Sequence, residues 1–368
     1  MRKIIWIIII IIAALFLGWA WGGDDQAPAS GEPIRIGVLV PLSGDAAAWG
    51  ENAKQGIDLA LLALREKCLA EKCESTPVEL IYEDTRGEAR QTVSAYQKLT
   101  NIDKVNGIIG PISQTAMASL IPLIEQNPIP VIAPSYVSPE ARRNPRNPLL
   151  IWTDVQVEAE RMAEYVFGQG ARSVAILGSL DAWESEVSQA FEQKFKDLGG
   201  ETSIELVQPN TLEVKTTVTK LLANKPDAVF LGTYYQFINA TKTLAEFNFE
   251  GSVYGIEVDQ YLATETRPRS NGLQFIAPDF YNPNFVDQFE EMYGRKPGIP
   301  SGQAYDAASI FFGLWRSAGN KDDVVRAMED FETHNGVSGE ITITPEHITL
   351  MPTAIFEVED GEIIRLEE

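Results

Sequence analysis

The chain has 368 residues, more than one core holds comfortably, which predicts two lobes of roughly 100–150 residues each. Hydrophobic residues make up 45% and charged residues 22%, a globular composition that excludes global disorder. With 30 Lys and Arg against 52 Asp and Glu, the net charge of −22 repels phosphate backbones and argues against nucleic acid as a partner.

Met1-Arg2-Lys3 precede an unbroken apolar run from Ile4 to Trp21, 18 residues long, which is the threshold for a spanning helix. The basic residues lie before it and Asp24-Asp25 after it, so the positive-inside rule puts the C-terminal body outside the cytoplasm. Residues 1–23 are therefore expected to be a signal or anchor segment, and residues 24–33 a short tether. Gly18-Trp19-Ala20 is a weak cleavage signal, so both cleavage and retention stay open. No cysteine precedes Cys68, which excludes a lipidated N-terminal cysteine, and three residues before the run encode no cytoplasmic output domain.

From Ile34 the pattern alternates. Apolar runs at Ile34–Val40, Val78–Tyr82, Val105–Ile109 and Ile129–Ala133 read as strands. Helical spacing connects them, as in Ala53, Ile57, Ala60 and Leu64, then Ala89, Val93, Tyr96 and Leu99, then Met117, Leu120, Ile121 and Ile124. Thr85-Arg86-Gly87-Glu88 has the form of a capping box. After Asn144-Pro145-Arg146-Asn147-Pro148 the pattern restarts, with strands at Ser173–Leu177, Ser203–Val207, Ala228–Leu231, Ser252–Ile256 and Leu273–Ile276. Strands apolar throughout, each followed by an amphipathic helix, predict an α/β fold with two doubly wound parallel-sheet lobes and a cleft between them. Helical patterns near Asn284–Tyr293, Gln303–Ser317 and Asp322–Phe331 precede short terminal strands, too few for a third domain. The expected division is 34–150 with 278–338 as one lobe and 151–277 with 339–368 as the other, joined by several crossovers.

Catalytic signatures are missing. The sequence has no phosphate loop, no dinucleotide fingerprint and no nucleophile elbow, and its two histidines, His334 and His347, both fall in the C-terminal part. Two histidines and two cysteines leave little for a transition-metal site. The expectation is a binding protein rather than an enzyme, with no cofactor and no metal.

The order of motifs resembles a known family. Ile34-Arg35-Ile36-Gly37-Val38-Leu39-Val40-Pro41-Leu42-Ser43-Gly44 is similar to the opening of periplasmic binding proteins of the leucine/isoleucine/valine-binding type, the substrate-binding subunits of ATP-driven importers. The resemblance continues through Gly50, Gly56-Ile57-Asp58-Leu59-Ala60 and Tyr82-Glu83-Asp84-Thr85. It then takes in Gly107-Ile108-Ile109-Gly110-Pro111-Ile112-Ser113, Val131-Ile132-Ala133-Pro134-Ser135 and Tyr305-Asp306-Ala307, covering nearly everything from Ile34 onward. It implies two α/β lobes joined by three crossovers that close on a ligand.

A helix beginning near Ser113 offers unpaired backbone N–H groups, so Ser113 and Thr115 are candidates for a ligand carboxylate, as the matching serine is in the family; Ser113 equally suits a helix cap. The resemblance aligns Ser135, Tyr136 and Val137 with a segment that contacts an amino-acid backbone, although relatives carry threonine where Val137 stands. It aligns Glu257 with the acid that balances an ammonium group. Trp49, Trp183, Tyr234 and Tyr235 fall at strand ends, where open α/β sheets bind ligands. Trp183-Glu184 replaces tyrosine-glycine, and Trp152-Thr153 lacks an arginine before the threonine, which points to a ligand other than a branched-chain amino acid.

Cys68 and Cys73, exported and five residues apart, read first as a disulfide, which requires the helix to end between them. The sequence thus predicts an extracytoplasmic solute-binding protein for a small polar ligand, an amino acid or amide-like compound, delivered to a membrane permease. A ligand sensor passing closure to a signalling partner is the alternative within binding proteins, and an exported hydrolase is the alternative outside them.

Overall fold

The computed structural model describes residues 33–366 other than 45, 73–76, 139–146, 210 and 280–281. The apolar run at the N-terminus and Cys73 lie outside these described residues, and no described helix is long and apolar enough to cross a membrane.

The first lobe is built from β1 (Ile34–Val40), α1 (Ala47–Glu71), β2 (Val78–Asp84), α2 (Ala89–Asn101), β3 (Gly107–Ile109), α3 (Gln114–Gln126), β4 (Val131–Ala133) and β5 (Leu149–Leu150). Its sheet runs β2-β1-β3-β4-β5, every pair parallel. The second lobe contains α4 (Val155–Gly168), β6 (Ser173–Ser179), α5 (Ala182–Asp197), β7 (Glu201–Val207), α6 (Lys215–Leu222), β8 (Ala228–Gly232), α7 (Phe237–Glu246), β9 (Ser252–Ile256), α8 (Gln260–Glu265) and β10 (Gln274–Pro278). The remaining elements are α9 (Pro283–Tyr293), α10 (Ser301–Ala318), α11 (Lys321–Glu329), β11 (Thr333–Gly336), β12 (Gly339–Ile343), β13 (Thr349–Leu350), β14 (Thr353–Glu359) and β15 (Glu362–Arg365).

The second sheet runs β15-β14-β10-β9-β8-β6-β7. Its β14 and β15 are antiparallel additions to a parallel core, contributed by the chain's end. Helices α9 to α11 return to the first lobe. Ala304, Ala307, Ala308 and Phe311 of α10 pack on Ala53, Ile57 and Ala60 of α1, while Phe285 and Phe289 of α9 meet Leu59. The hairpin of β11 to β13 also belongs there, because Ile341 and Met351 are buried in the same core as Val324 and Met328. Residues 339–350, expected in the second lobe, thus pack on the first, and the second sheet takes up the chain at β14. Packing decides this, since Ile341 of β12 shares a core with α11, whereas β14 pairs with β10 and buries Ala354, Phe356 and Val358 in the second lobe. The chain passes between the lobes after β5, after β10 and after β13.

The capping box expected at Thr85 is not formed. The helix starts at Ala89 with Glu88 in the cap position, and the Thr85 carbonyl accepts from Glu88 N–H at 2.9 Å in a turn that closes first. Helix α1 ends at Glu71, where Lys72 takes the left-handed conformation (φ 52), and Cys68 in its last turn is disulfide-bonded.

Candidate functional site

In each sheet, successive strands are added first on one side and then on the other, β1 against β3 in the first lobe and β6 against β8 in the second. The connections leaving the C-terminal ends of these strands diverge and open a crevice at each reversal. One cavity of about 230 Å³ is lined by both crevices: Pro41 and Trp49 follow β1, Ser113 and Thr115 follow β3, Asp181 and Trp183 follow β6, and Tyr234 and Tyr235 follow β8. Glu257 after β9, Tyr136 after β4 and Trp152 in the first crossover close it. A volume of this size, facing both lobes, suits a small molecule.

Backbone geometry delivers Ser113. Gly110 ends β3 at φ +101, and a Cβ there would lie 2.3 Å from the Leu39 carbonyl oxygen, so only glycine lets β3 turn this close to β1. The chain then starts α3 at Gln114. Ser113 caps it, accepting from Ala116 N–H at 3.2 Å. A hydroxyl that accepts one bond still has a proton to donate, so capping and ligand contact are compatible. Thr115 stands exposed on the same first turn. No Lys, Arg or His lines the cavity among the described residues. An anion is thus left with neutral hydroxyls and the helix N-terminus.

The opposite wall is acidic. Glu257 is 2% exposed, accepts from Trp152 Nε1 at 2.8 Å, and its Oε2 has no donor among the described residues. Burial pushes its carboxyl up to about 8. Glu184 accepts from Tyr234 N–H at 2.7 Å, tying α5 to the β8 turn, and burial raises its carboxyl too. Asp181 caps α5 through Trp183 N–H at 3.0 Å. Aromatic rings join the lobes: Trp49 stacks on Trp152 with centroids 6.3 Å apart and meets Tyr234 edge-on at 5.2 Å. The Tyr234 hydroxyl donates to Asp259 at 3.0 Å.

Of the residues singled out from sequence, Trp49, Ser113, Thr115, Tyr136, Trp183, Tyr234 and Glu257 line this cavity. Ser135 and Val137 do not. Val137 packs with Leu39, Ala133 and Leu150 in the first lobe's core, as an apolar side chain there should, and Ser135 is buried beside it. Trp152, Asp181 and Glu184 were not among the expected ligand contacts. Trp152 had a signal in the missing arginine and Glu184 in the replaced glycine, whereas Asp181 carried none. No group of three or more His, Cys, Asp or Glu among the described residues is placed to hold a metal.

Comparison with known proteins agrees with this architecture. Residues 33–362 match the family described as periplasmic binding protein. The Leu/Ile/Val-binding protein homolog 3 of Brucella melitensis is 25% identical over 358 residues, covering 93% of this chain and 95% of that protein. The fold superimposes on the leucine-binding protein LivK of Thermotoga maritima with a TM-score of 0.81 at 21% identity, covering 91% and 98% of the two chains. It also matches an ABC-transporter solute-binding protein of Rhodopseudomonas palustris in complex with 3,4-dihydroxybenzoic acid, with a TM-score of 0.77 at 23% identity and coverage of 91% and 96%. The chain belongs to the periplasmic binding protein family, of the Leu/Ile/Val-binding type, and is a solute-binding protein of the extracytoplasmic side rather than an enzyme.

Proposed function

We propose that the chain captures a small zwitterion, an amino acid or an amide-like relative of one, between its lobes and delivers it to the permease of an ABC importer. The observation that carries this is the opposed chemistry of one cavity. Hydroxyls and backbone N–H groups of α3 occupy one side, and the Glu257 carboxyl with an unsatisfied oxygen occupies the other. A carboxylate suits the first and an ammonium suits the second. The named binding functions of the relatives support the importer role. The run Ile4 to Trp21 supports export, with the body held at the membrane or released after cleavage.

The three tryptophans and three tyrosines of the cavity favour a ligand with a flat or bulky apolar part. That observation supports a second reading, an aromatic carboxylate, which is the class bound by the Rhodopseudomonas protein. A thermal-shift panel of amino acids, amides and benzoates separates the two. A ligand at 100 times its dissociation constant adds about 2.7 kcal/mol of stability. Stabilisation by benzoates alone would remove the zwitterion reading.

A further inference from the structure

Behind the cavity wall Glu257 meets a second carboxyl. Glu158 lies on the buried face of α4 between Val155 and Met162, and it is 1% exposed. The Glu158 and Glu257 carboxyls adjoin. Neither oxygen of Glu158 has a donor among the described residues, and neither does Oε2 of Glu257. Two ionised carboxyls side by side in a buried site repel, and among the described residues only one of their four oxygens, Glu257 Oε1, has a donor. A proton on each carboxyl removes the charge, and the Glu158 proton supplies the donor that Glu257 Oε2 lacks.

The charged groups around the pair do not replace that proton. Arg161, one turn along α4, pulls the Glu158 carboxyl down, but by less than burial and Glu257 push it up, and it donates to the carbonyl oxygen and to Oγ1 of Thr353, both at 2.6 Å. Asp154 caps α4, and Asp259 accepts from Leu262 N–H and the Tyr234 hydroxyl. On α5, Glu184 accepts from the β8 turn and Glu186 from Gln114 and Tyr136, while Asp181 caps the helix. Glu357 of β14 accepts from Gln274. All but Arg161 are acids.

We propose that Glu158 and Glu257 form a pair of protonated carboxyls in which Glu158 positions Glu257 and sets the charge it presents, so that a ligand ammonium group docks by displacing a proton. This rests on the zwitterion reading above. In the empty protein both carboxyls are neutral, in line with the upward push that burial gives each. On docking, the O–H bond of Glu257 breaks and its proton leaves to solvent. The resulting carboxylate faces the ammonium. Glu158 keeps its own proton and donates it to Glu257 Oε2, while Trp152 holds Oε1. The ammonium brings one positive charge and one proton departs, so the buried site stays balanced.

The ligand-free protein supplies the first test. Its infrared spectrum at pH 7 should contain protonated-carboxyl C=O absorption that diminishes in Glu158→Gln and again in Glu257→Gln. Absence of that absorption at these two positions overturns the pair. Should either variant fail to fold, titration of the wild-type band decides, since a pair ionising wholly below pH 6 is not one of this kind. The second test is calorimetry with L-leucine in phosphate and Tris buffers. About one proton should be released per ligand, and affinity should rise with pH by up to about tenfold per unit below pH 8. Benzoate, which brings no ammonium, should release none. Leucine binding without proton release overturns the displacement step. Failure of every amino acid to bind, with the infrared band intact, removes the zwitterion reading and the displacement together and leaves the pair standing.

Discussion

Tyr136, just past β4 of the first lobe, donates its hydroxyl to Glu186 Oε1 on α5 of the second lobe at 2.8 Å. Gln114 at the start of α3 reaches the other oxygen of the same carboxyl at 3.2 Å. One second-lobe side chain therefore ties together two connections of the first lobe at the cavity rim. These bonds exist only while the lobes approach, so they favour the closed form over the open one.

Tyr136→Phe should therefore shift the protein towards opening. One lost hydrogen bond is worth about 1 kcal/mol, or about a fivefold loss of ligand affinity. The variant's ligand-bound radius of gyration, read by small-angle scattering, should lie nearer the empty value. Unchanged affinity and radius would show that Glu186 does not hold the closed form.

Ser113→Ala should act twice. Loss of the cap on α3 lowers stability by about 1 kcal/mol, and loss of a hydroxyl donor to a carboxylate weakens binding by about 1–3 kcal/mol. Denaturant titration reads the first effect, and calorimetry on the folded variant reads the second. A stability loss with intact affinity would leave Ser113 as a cap alone.

Stability should fall as pH rises from about 4.5 to about 8. Glu257 has its carboxyl raised in the folded state from 4.5 to about 8 by burial, and Glu158 is raised by burial and by Glu257. Across that window the folded protein binds more protons than the unfolded chain, so stability present at low pH is lost. The loss should be on the order of a few kcal/mol, and Glu257→Gln should flatten it. Thermal unfolding of the empty protein across pH 4 to 9 checks this; a profile rising through neutrality would contradict it.

Asp306 of α10 is wholly buried and accepts from Val337 and Ser338 N–H at 2.8 and 2.9 Å, clamping the β11–β12 turn onto the helix. Burial pushes its carboxyl up to about 6. Asp306→Ala leaves the buried Ser338 N–H and the half-buried Val337 N–H unpaired and should cost about 2–4 kcal/mol. Gly336→Ala should also destabilise, because its Cβ would lie 2.3 Å from an Asp306 oxygen. Equal denaturation midpoints for wild type and Asp306→Ala would exclude the clamp.

The alternation of apolar strands and amphipathic helices determined the two α/β lobes, because a strand buried on both faces is apolar throughout, and Ile36–Val40 shows this without any tertiary information. Connections after strand ends gave Ser113, Tyr234 and Trp183, since parallel sheets leave their crevices there. What the sequence left undecided depended on which surfaces meet. Val137 aligns with a ligand contact, yet it turns into the core because its apolar side chain packs against Leu39 and Leu150. Residues 339–350 lead straight into the second sheet's last strands but pack on the first lobe, where α11 offers the apolar surface that covers Ile341. Glu158 shows the limit most sharply. Helical spacing puts it on the buried face of α4, which is legible, but its partner Glu257 lies 99 positions away. Only the folded sheet brings the two carboxyls together, and proximity in a dry interior, not residue type, is what raises them.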